Sequence, residues 1–166
     1  MAILISVPIL LLLLILQTTV AGEITLIHGT VDLILLWLAA WGLNSKDKSG
    51  YLLAVLAGGL VSYVSALPWY VYLFGYLSVI ILARFVYRRL WQSPMLSMFA
   101  ITLVSSIVLY LLTMIGLRIN GTEYPLQISL ISVIIPSIFL NLLMAIPIFV
   151  IVRDLSGWVY RSEELA

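Results

Sequence analysis

His28 and Asp32 are the side chains of this sequence whose types and spacing could do chemistry inside an apolar segment. Asp32 is the only carboxylate flanked by a long apolar run, residues 33–40, and His28 lies four positions before it. Side chains four residues apart share one face of a helix, provided that the helix has already begun at His28. A carboxylate within an apolar helix is costly to keep there and is therefore a candidate functional site.

Two interpretations of this pair remain open. In the first, His28 and Asp32 form a proton relay or a polar ligand site. In the second, which we favour, the helix begins at Gly29 and Thr30, and Asp32 lies in its first turn near the outer boundary of a membrane. An anion is stabilised in that position because the helix dipole places partial positive charge at the N-terminus.

Other kinds of catalytic or metal site lack the residues they need. The sequence contains no Cys and a single His, which excludes thiolate and multi-histidine metal sites. It has no phosphate-binding loop ending in Gly-Lys-Ser/Thr, no Gly-x-Ser-x-Gly elbow and no His-Glu-x-x-His motif. We therefore predict a protein without enzymatic activity, cofactor or metal, and the net charge of +1 gives no attraction to nucleic acid.

The elements that must position these side chains are long apolar segments. Of the 166 residues, 64% are hydrophobic and 9% are charged, and the mean hydropathy is +1.23, whereas a soluble domain is about half apolar and a quarter charged. A helix needs roughly 20 apolar residues to cross the hydrocarbon, where its own backbone must satisfy every N–H and C=O. The sequence predicts six such helices, at residues 3–20, 24–43, 51–66, 69–87, 96–117 and 126–152.

The basic residues predict how these helices are oriented. Seven of the eight Lys and Arg residues fall on the side that carries both termini, and Arg118 alone falls on the other. Lys and Arg are retained on the cytoplasmic side, so both termini are predicted to be cytoplasmic. Arg84, Arg88 and Arg89 end the fourth span and are expected to anchor it at the cytoplasmic surface. The predicted fold class is an all-α membrane protein, a compact bundle of six transmembrane helices in a single domain, residues 1–166.

Two ladders of small or polar side chains, spaced four residues apart, are the clearest signals of helix packing. Such positions let helices approach closely and form interhelical hydrogen bonds, which large apolar side chains cannot do in lipid. For each ladder the partner is a helix of the same bundle or a helix of another protein, and the carbonyls freed by Pro147 are a further source of hydrogen bonds for Asn141. In the third span the ladder is Ala54, Gly58, Ser62 and Ala66, and in the sixth it is Ser137, Asn141 and Ala145.

Four stretches of the chain resemble the MreD family of bacterial rod-shape-determining proteins, which has a similar size and a six-span plan with short loops. They are Leu-Gln at residues 16–17, Val-Asp-Leu-Ile-Leu-Leu at 31–36, Ala-Gly-Gly-Leu at 57–60, and Asn-Leu-Leu-Met-Ala-Ile-Pro-Ile-Phe at 141–149 followed by Arg153. Val31 replaces the Pro that is usual in the family, and the family's Asp and Ser-Gly-x-Pro-Leu-Gly turn are missing from residues 62–69.

The resemblance implies a non-enzymatic scaffold subunit of the cell-elongation complex, which synthesises peptidoglycan at the bacterial inner membrane. The implied partners are MreC, a single-span protein with a periplasmic domain, the actin-like MreB, and RodA with its class B penicillin-binding transpeptidase. Membrane lipid is a further expected partner. The alternative is the substrate-binding S component of an energy-coupling-factor vitamin transporter. That family usually carries Ala-x-x-x-Ala on its first span, whereas the first span here consists mainly of Leu and Ile.

Overall fold

The computed structural model describes residues 2–21, 26–44, 49–89, 93–122 and 126–164. In these ranges the chain forms six helical rods, and the all-helical character expected from the sequence is confirmed. Five rods come first: α1, Ala2–Leu16, with a π-helical end at Gln17–Ala21; α2, Leu33–Asn44; α3, Ser49–Val64; α4, Trp69–Arg89; and α5, Pro94–Ile119. The last rod runs without a break through α6, Leu126–Ser129, a π-helical segment, Leu130–Ile134, and α7, Ile135–Glu164.

Among the described residues, three helices are long and apolar enough to cross a membrane. They are Trp69–Tyr87, Pro94–Ile119 and Gln127–Gly157, and they coincide with the predicted fourth, fifth and sixth spans. The other apolar helices are shorter, and α2, with 12 residues, is roughly 18 Å long, less than the roughly 30 Å of a bilayer core. The shortness of α2 has a specific origin in the chain that precedes it.

The core of the bundle surrounds α2. Ten residues in succession, 34–43, are buried, and α2 contacts α1, α3, α4, α5 and α7. The sequence of α2 is apolar on every face, which is typical of a helix that other helices surround on all sides. Gly42 allows α4 to approach closely, since an added Cβ would lie 2.7 Å from the Cβ of Ala83.

The second predicted span is helical in its second half only. The sequence predicts a helix over residues 24–43, but α2 begins at Leu33, and residues 26–32 are not helical. Leu26 and Gly29 close a tight turn through two backbone hydrogen bonds, of 3.1 and 2.9 Å, with Ile27 at a φ of 61°. The helix prediction is wrong for this half because the N–H groups of Leu26 and Gly29 close the turn, and those of His28, Thr30 and Asp32 bond to the last rod.

The bond from His28 reaches the last rod within its π-helical segment. The π-helical segment ends two residues before Pro136, which has no N–H to donate to the carbonyl of Ser132, four residues earlier. That carbonyl accepts a hydrogen bond from the N–H of His28, at 3.1 Å. Gly29 permits the contact, because an added Cβ would lie 2.5 Å from the backbone nitrogen of Ser137 and 2.7 Å from the Cβ of Pro136.

The helices α3 and α4 pack along the ladder of small side chains on α3. Ala54 and Gly58 are buried, and a Cβ added at Gly58 would lie 2.8 Å from the Cα of Leu73 on α4. The hydroxyl of Ser62 donates to the carbonyl of Gly58, at 2.5 Å, and Ala66 is exposed beyond the end of α3. The first two positions of this ladder are therefore occupied by a helix of the same chain.

Candidate functional site

Asp32 is the N-cap of α2. Its Oδ1 accepts a hydrogen bond from the backbone N–H of Leu35, at 2.9 Å, and its backbone carbonyl accepts one from Leu36, at 3.2 Å. The hydroxyl of Tyr76, on α4, donates to the two carboxylate oxygens, at 3.3 and 3.2 Å. Asp is a preferred N-cap residue because its side chain satisfies a helix N–H that has no partner within the helix. Asp32 therefore starts α2 and ties that start to α4.

Asn141 joins the start of α2 to two further helices. Its Oδ1 accepts a hydrogen bond from the backbone N–H of Asp32, at 2.8 Å. Its Nδ2 donates to the Oγ of Ser106 on α5, at 3.1 Å, and the side chains of Asn141 and Ser106 are both buried. One amide side chain thus bridges the chain before α2, the helix α5 and the helix α7.

Two more side chains complete this arrangement. The Oε1 of Gln17, at the end of the first rod, accepts from the backbone N–H of Ile34, at 3.2 Å. The Oγ of Ser137, on α7, accepts from the backbone N–H of Thr30, at 3.0 Å. We refer to the six side chains that meet around the start of α2 as the capping cluster, which comprises Gln17, Asp32, Tyr76, Ser106, Ser137 and Asn141.

The capping cluster uses its polar atoms to close backbone hydrogen bonds. Four N–H groups at or before the start of α2 find side-chain acceptors in it, those of Thr30, Asp32, Ile34 and Leu35. Buried backbone donors of this kind are costly to leave unpaired, so the cluster stabilises the non-helical stretch and the helix start together. Within the described ranges, no group of three His, Cys, Asp or Glu residues could hold a metal ion.

The structure brings some of the sequence-predicted residues together and separates others. Asp32, Ser137 and Asn141 meet in the capping cluster, and Ala145 is buried one turn further along α7. His28 is exposed and does not share a helical face with Asp32, because the chain between them is not helical. The expectation that the helix begins at Gly29 and Thr30 places its start a few residues too early, although Asp32 does stand at the helix N-terminus.

Sequence reasoning missed three members of the capping cluster: Gln17, Tyr76 and Ser106. Gln17 could have been found, because it is the sole amide of the first apolar segment, residues 3–20. Tyr76 and Ser106 gave no comparable signal, since tyrosines and serines recur throughout the apolar segments of this chain. Their role depends on which helices are neighbours in the fold.

The predicted basic anchor lies at the end of α4. The guanidinium carbon of Arg84 is 4.7 Å from the ring centroid of Tyr51, at the start of α3, a cation–π contact. The side chains of Arg88 and Arg89, and the residues Lys46 and Lys48, lie outside what the structure describes. The anchoring role predicted for the cluster therefore stays a prediction.

A groove of about 440 Å³ lies between α5 and the last rod, away from the capping cluster. We refer to it as the α5–α7 groove. Its lining is apolar and includes Ile107, Leu111 and Met114 on α5 and Leu130, Ile134 and Ile138 on the last rod.

Similarity to known proteins does not identify the family of this chain. Its function is inferred from its own residues, from its exposed surfaces, and from the resemblance of four short stretches to the MreD family. No family model, no curated protein and no solved structure matches the chain.

Proposed function

We propose that this chain is a non-enzymatic, multi-pass scaffold subunit of the bacterial inner membrane. It binds the transmembrane helix of a partner such as MreC within the cell-elongation complex that synthesises peptidoglycan. The observation that best supports this proposal is Gly59, an open glycine on the exposed face of α3. The identity of the partner rests on the resemblance to the MreD family.

Two adjacent glycines of α3 face in different directions. Gly58 is buried against the backbone of Leu73, whereas nothing in the described part of the chain packs within 4 Å of a Cβ added at Gly59. Val55 and Tyr63, one turn away from Gly59 on either side, are 43% and 93% exposed. Gly59 therefore forms a notch in a surface of large apolar side chains.

The notch at Gly59 has the small side chain on which close helix association in lipid depends. Glycine in a helix interior is less favourable than alanine by about 0.8–1.0 kcal/mol, and no contact among the described residues requires the missing side chain at Gly59. Large apolar side chains gain little by leaving acyl chains for another helix, so association depends on close approach at small residues. Gly59 is where a partner helix can approach the backbone of α3 most closely.

The capping cluster fits the same role. Two of the MreD-like stretches contain Asp32 and Asn141, and these residues bond to each other and to neighbouring helices of the chain. Their polar atoms hold the bundle together, and the exposed face of α3 remains available to a partner. A scaffold needs this combination of a fixed interior and an accessible helix face.

Gly59→Leu is expected to prevent partner binding while leaving the protein folded. When the chain is produced together with the MreC-type protein of the same source and purified in mild detergent, wild type should recover the partner. The variant should recover at least about tenfold less, because a Leu side chain blocks the closest approach. Gly157→Leu is the matched control, since Gly157 is exposed on α7 with nothing within 4 Å of an added Cβ.

Two results would count against this proposal. Equal recovery of the partner by Gly59→Leu and Gly157→Leu would rule out the exposed face of α3 as the interface. Recovery of a vitamin-sized ligand together with nucleotide-binding subunits would favour the S component of a vitamin transporter.

Both termini and the connection between α2 and α3 are proposed to face the cytoplasm, because seven of the eight Lys and Arg residues fall on that side. The chain contains no Cys, so single introduced cysteines report accessibility directly. In intact cells, Ser45→Cys and Ser162→Cys should resist a membrane-impermeant maleimide. Thr122→Cys, between α5 and α6, should react. Labelling of the first two variants from outside would overturn the orientation.

A further inference from the structure

At the end of the bundle that contains the α3–α4 turn, the helices end level with one another. A Cβ added at Gly116 on α5 would lie 2.7 Å from Val71 on α4, so these two residues have the same depth. Trp69 begins α4, and Arg118 follows Gly116 by two positions. The hydroxyl of Ser62, near the end of α3, donates to the carbonyl of Trp69, at 3.1 Å. This end, the outer one in the proposed orientation, therefore lies at one depth on α3, α4 and α5.

At the opposite end, α3 stops beside a charged side chain. The guanidinium carbon of Arg84, on α4, lies 4.7 Å from the ring centroid of Tyr51, in the first turn of α3. In the sequence, the three residues that precede α3, 46–48, are all charged. Residues 51–64 of α3 rise by roughly 20 Å, which is less than the roughly 30 Å of a bilayer core. The side of the bundle that contains α3 is therefore short.

Helix contacts show which residue of α5 lies at the depth where α3 begins. A Cβ added at Gly58 on α3 would meet the backbone of Leu73 on α4. A Cβ added at Gly75 on α4 would meet the side chain of Leu109 on α5. Counting along these helices from the two contacts places the first turn of α3 level with Val104 of α5.

The same depth can be followed from α5 to the last rod. The hydrogen bond between Ser106 and Asn141 fixes the register of the two helices, and the facing residues of the α5–α7 groove keep to it. Leu143 is therefore level with the first turn of α3. The next charged residue of α7 is Arg153, roughly 15 Å further along the helix.

Beyond the depth of Leu143, the surfaces of α5 and α7 stay apolar. Leu96 on α5 and Ile146 and Ile151 on α7 are exposed. Residues 94–118 of α5 rise by roughly 36 Å, nearly twice the rise of residues 51–64 of α3. Exposed apolar side chains of a membrane helix face hydrocarbon, whereas a guanidinium is costly there and reaches for the headgroups. The two sides of the bundle therefore fit hydrocarbon of different thickness.

We propose that the lipid leaflet at the cytoplasmic end of the bundle is thinned beside α3. Its headgroups there contact Arg84 and Tyr51, whereas beside α7 they lie at Arg153. Thinning of the bilayer is one way in which a membrane adapts to a short apolar helix. A lipid phosphate can pair with the Arg84 guanidinium, and a tyrosine ring favours the headgroup level. The inference rests on the membrane insertion in the proposed function and does not depend on the proposed partner.

Fluorescence quenching in vesicles of dioleoyl phosphatidylcholine and phosphatidylglycerol that contain this chain alone tests the inference. The chain has no Cys, so Leu52→Cys and Ile146→Cys, both at exposed positions, can each be labelled with bimane. Lipids with a nitroxide on the headgroup or near the end of an acyl chain then report the depth of each label. We expect the label at position 52 to lie roughly 6 Å nearer the headgroups than the label at position 146.

A flat boundary at the depth of Arg153 predicts the opposite order. Position 52 is level with residue 142, so its label would lie roughly 6 Å deeper than the label at position 146, and that result would overturn the inference. Lipid quenching at position 146 with none at position 52 would also overturn it, because water and not headgroups would then fill the space beside α3. If neither label were quenched by lipid, the membrane insertion in the proposed function would itself be rejected, and the inference with it.

Discussion

Asn141→Leu is expected to lower the thermal stability of the purified protein markedly. The substitution keeps the approximate volume of the side chain but removes the acceptor for the N–H of Asp32 and the donor to Ser106. Each buried group left without a partner costs about 1–3 kcal/mol, and two are left here. Thermal unfolding in mild detergent, followed by circular dichroism, measures the loss.

The pair with Ser106 gives this experiment an internal control. Ser106→Ala should destabilise the protein less than Asn141→Leu, because it leaves the bond between Asn141 and Asp32 intact. In the double variant, Ser106→Ala should add little further loss, since its hydroxyl has already lost the amide donor. Coupling of this kind is expected for residues in direct contact. An Asn141→Leu variant as stable as wild type would show that the capping cluster does not hold α2.

Gly58→Leu is expected to destabilise the bundle strongly, whereas Gly59→Leu should leave its stability close to that of wild type. A Cβ at Gly58 would lie 2.8 Å from the Cα and 3.1 Å from the backbone nitrogen of Leu73, and a backbone cannot move aside as a side chain can. Overpacking of this kind costs about 1–3 kcal/mol and occasionally more. Gly59, the next residue, has open space around it.

The two variants make a close comparison, because the same change is made at neighbouring positions of one helix. Both add the same apolar side chain and both remove a glycine from α3, so helix propensity and composition are held equal. Thermal unfolding of the two proteins in the same detergent measures the difference. Equal stability would mean that α3 and α4 do not pack closely at Gly58.

The length of the apolar runs was the property of the sequence that best predicted the helices. The predicted fourth and fifth spans, residues 69–87 and 96–117, lie within α4 and α5, whose ends extend by two residues or fewer beyond the prediction. Runs of this length have one stable form in lipid, an α-helix, so neighbouring segments are not needed to predict them. The last rod extends further than predicted, from Leu126 to Glu164, because a helix can continue past the apolar run.

The second predicted span shows where that reasoning fails. Residues 26–32 fall inside the predicted helix, yet the N–H groups of His28, Thr30 and Asp32 bond to residues 132, 137 and 141, more than a hundred positions away. No local pattern reports such partners. The ladder of Ser137 and Asn141 did predict hydrogen bonds to a neighbouring helix, and Asn141 does donate to Ser106 on α5, but both side chains also accept from the segment before α2. That the neighbour is non-helical backbone follows from the fold alone.

The distance along the chain between these bonding partners has a consequence for biosynthesis. Residues 26–32 leave the ribosome long before Ser137 and Asn141, which lie 107 and 109 positions after Thr30 and Asp32. In the proposed multi-pass arrangement lipid offers no substitute acceptor in the meantime, so this stretch would have to satisfy its own donors as a helix or stay at the membrane surface until the last rod enters. The native conformation of residues 26–32 is therefore completed only after the last rod has been made, and a chain that stops before α7 lacks the acceptors of Ser132, Ser137 and Asn141.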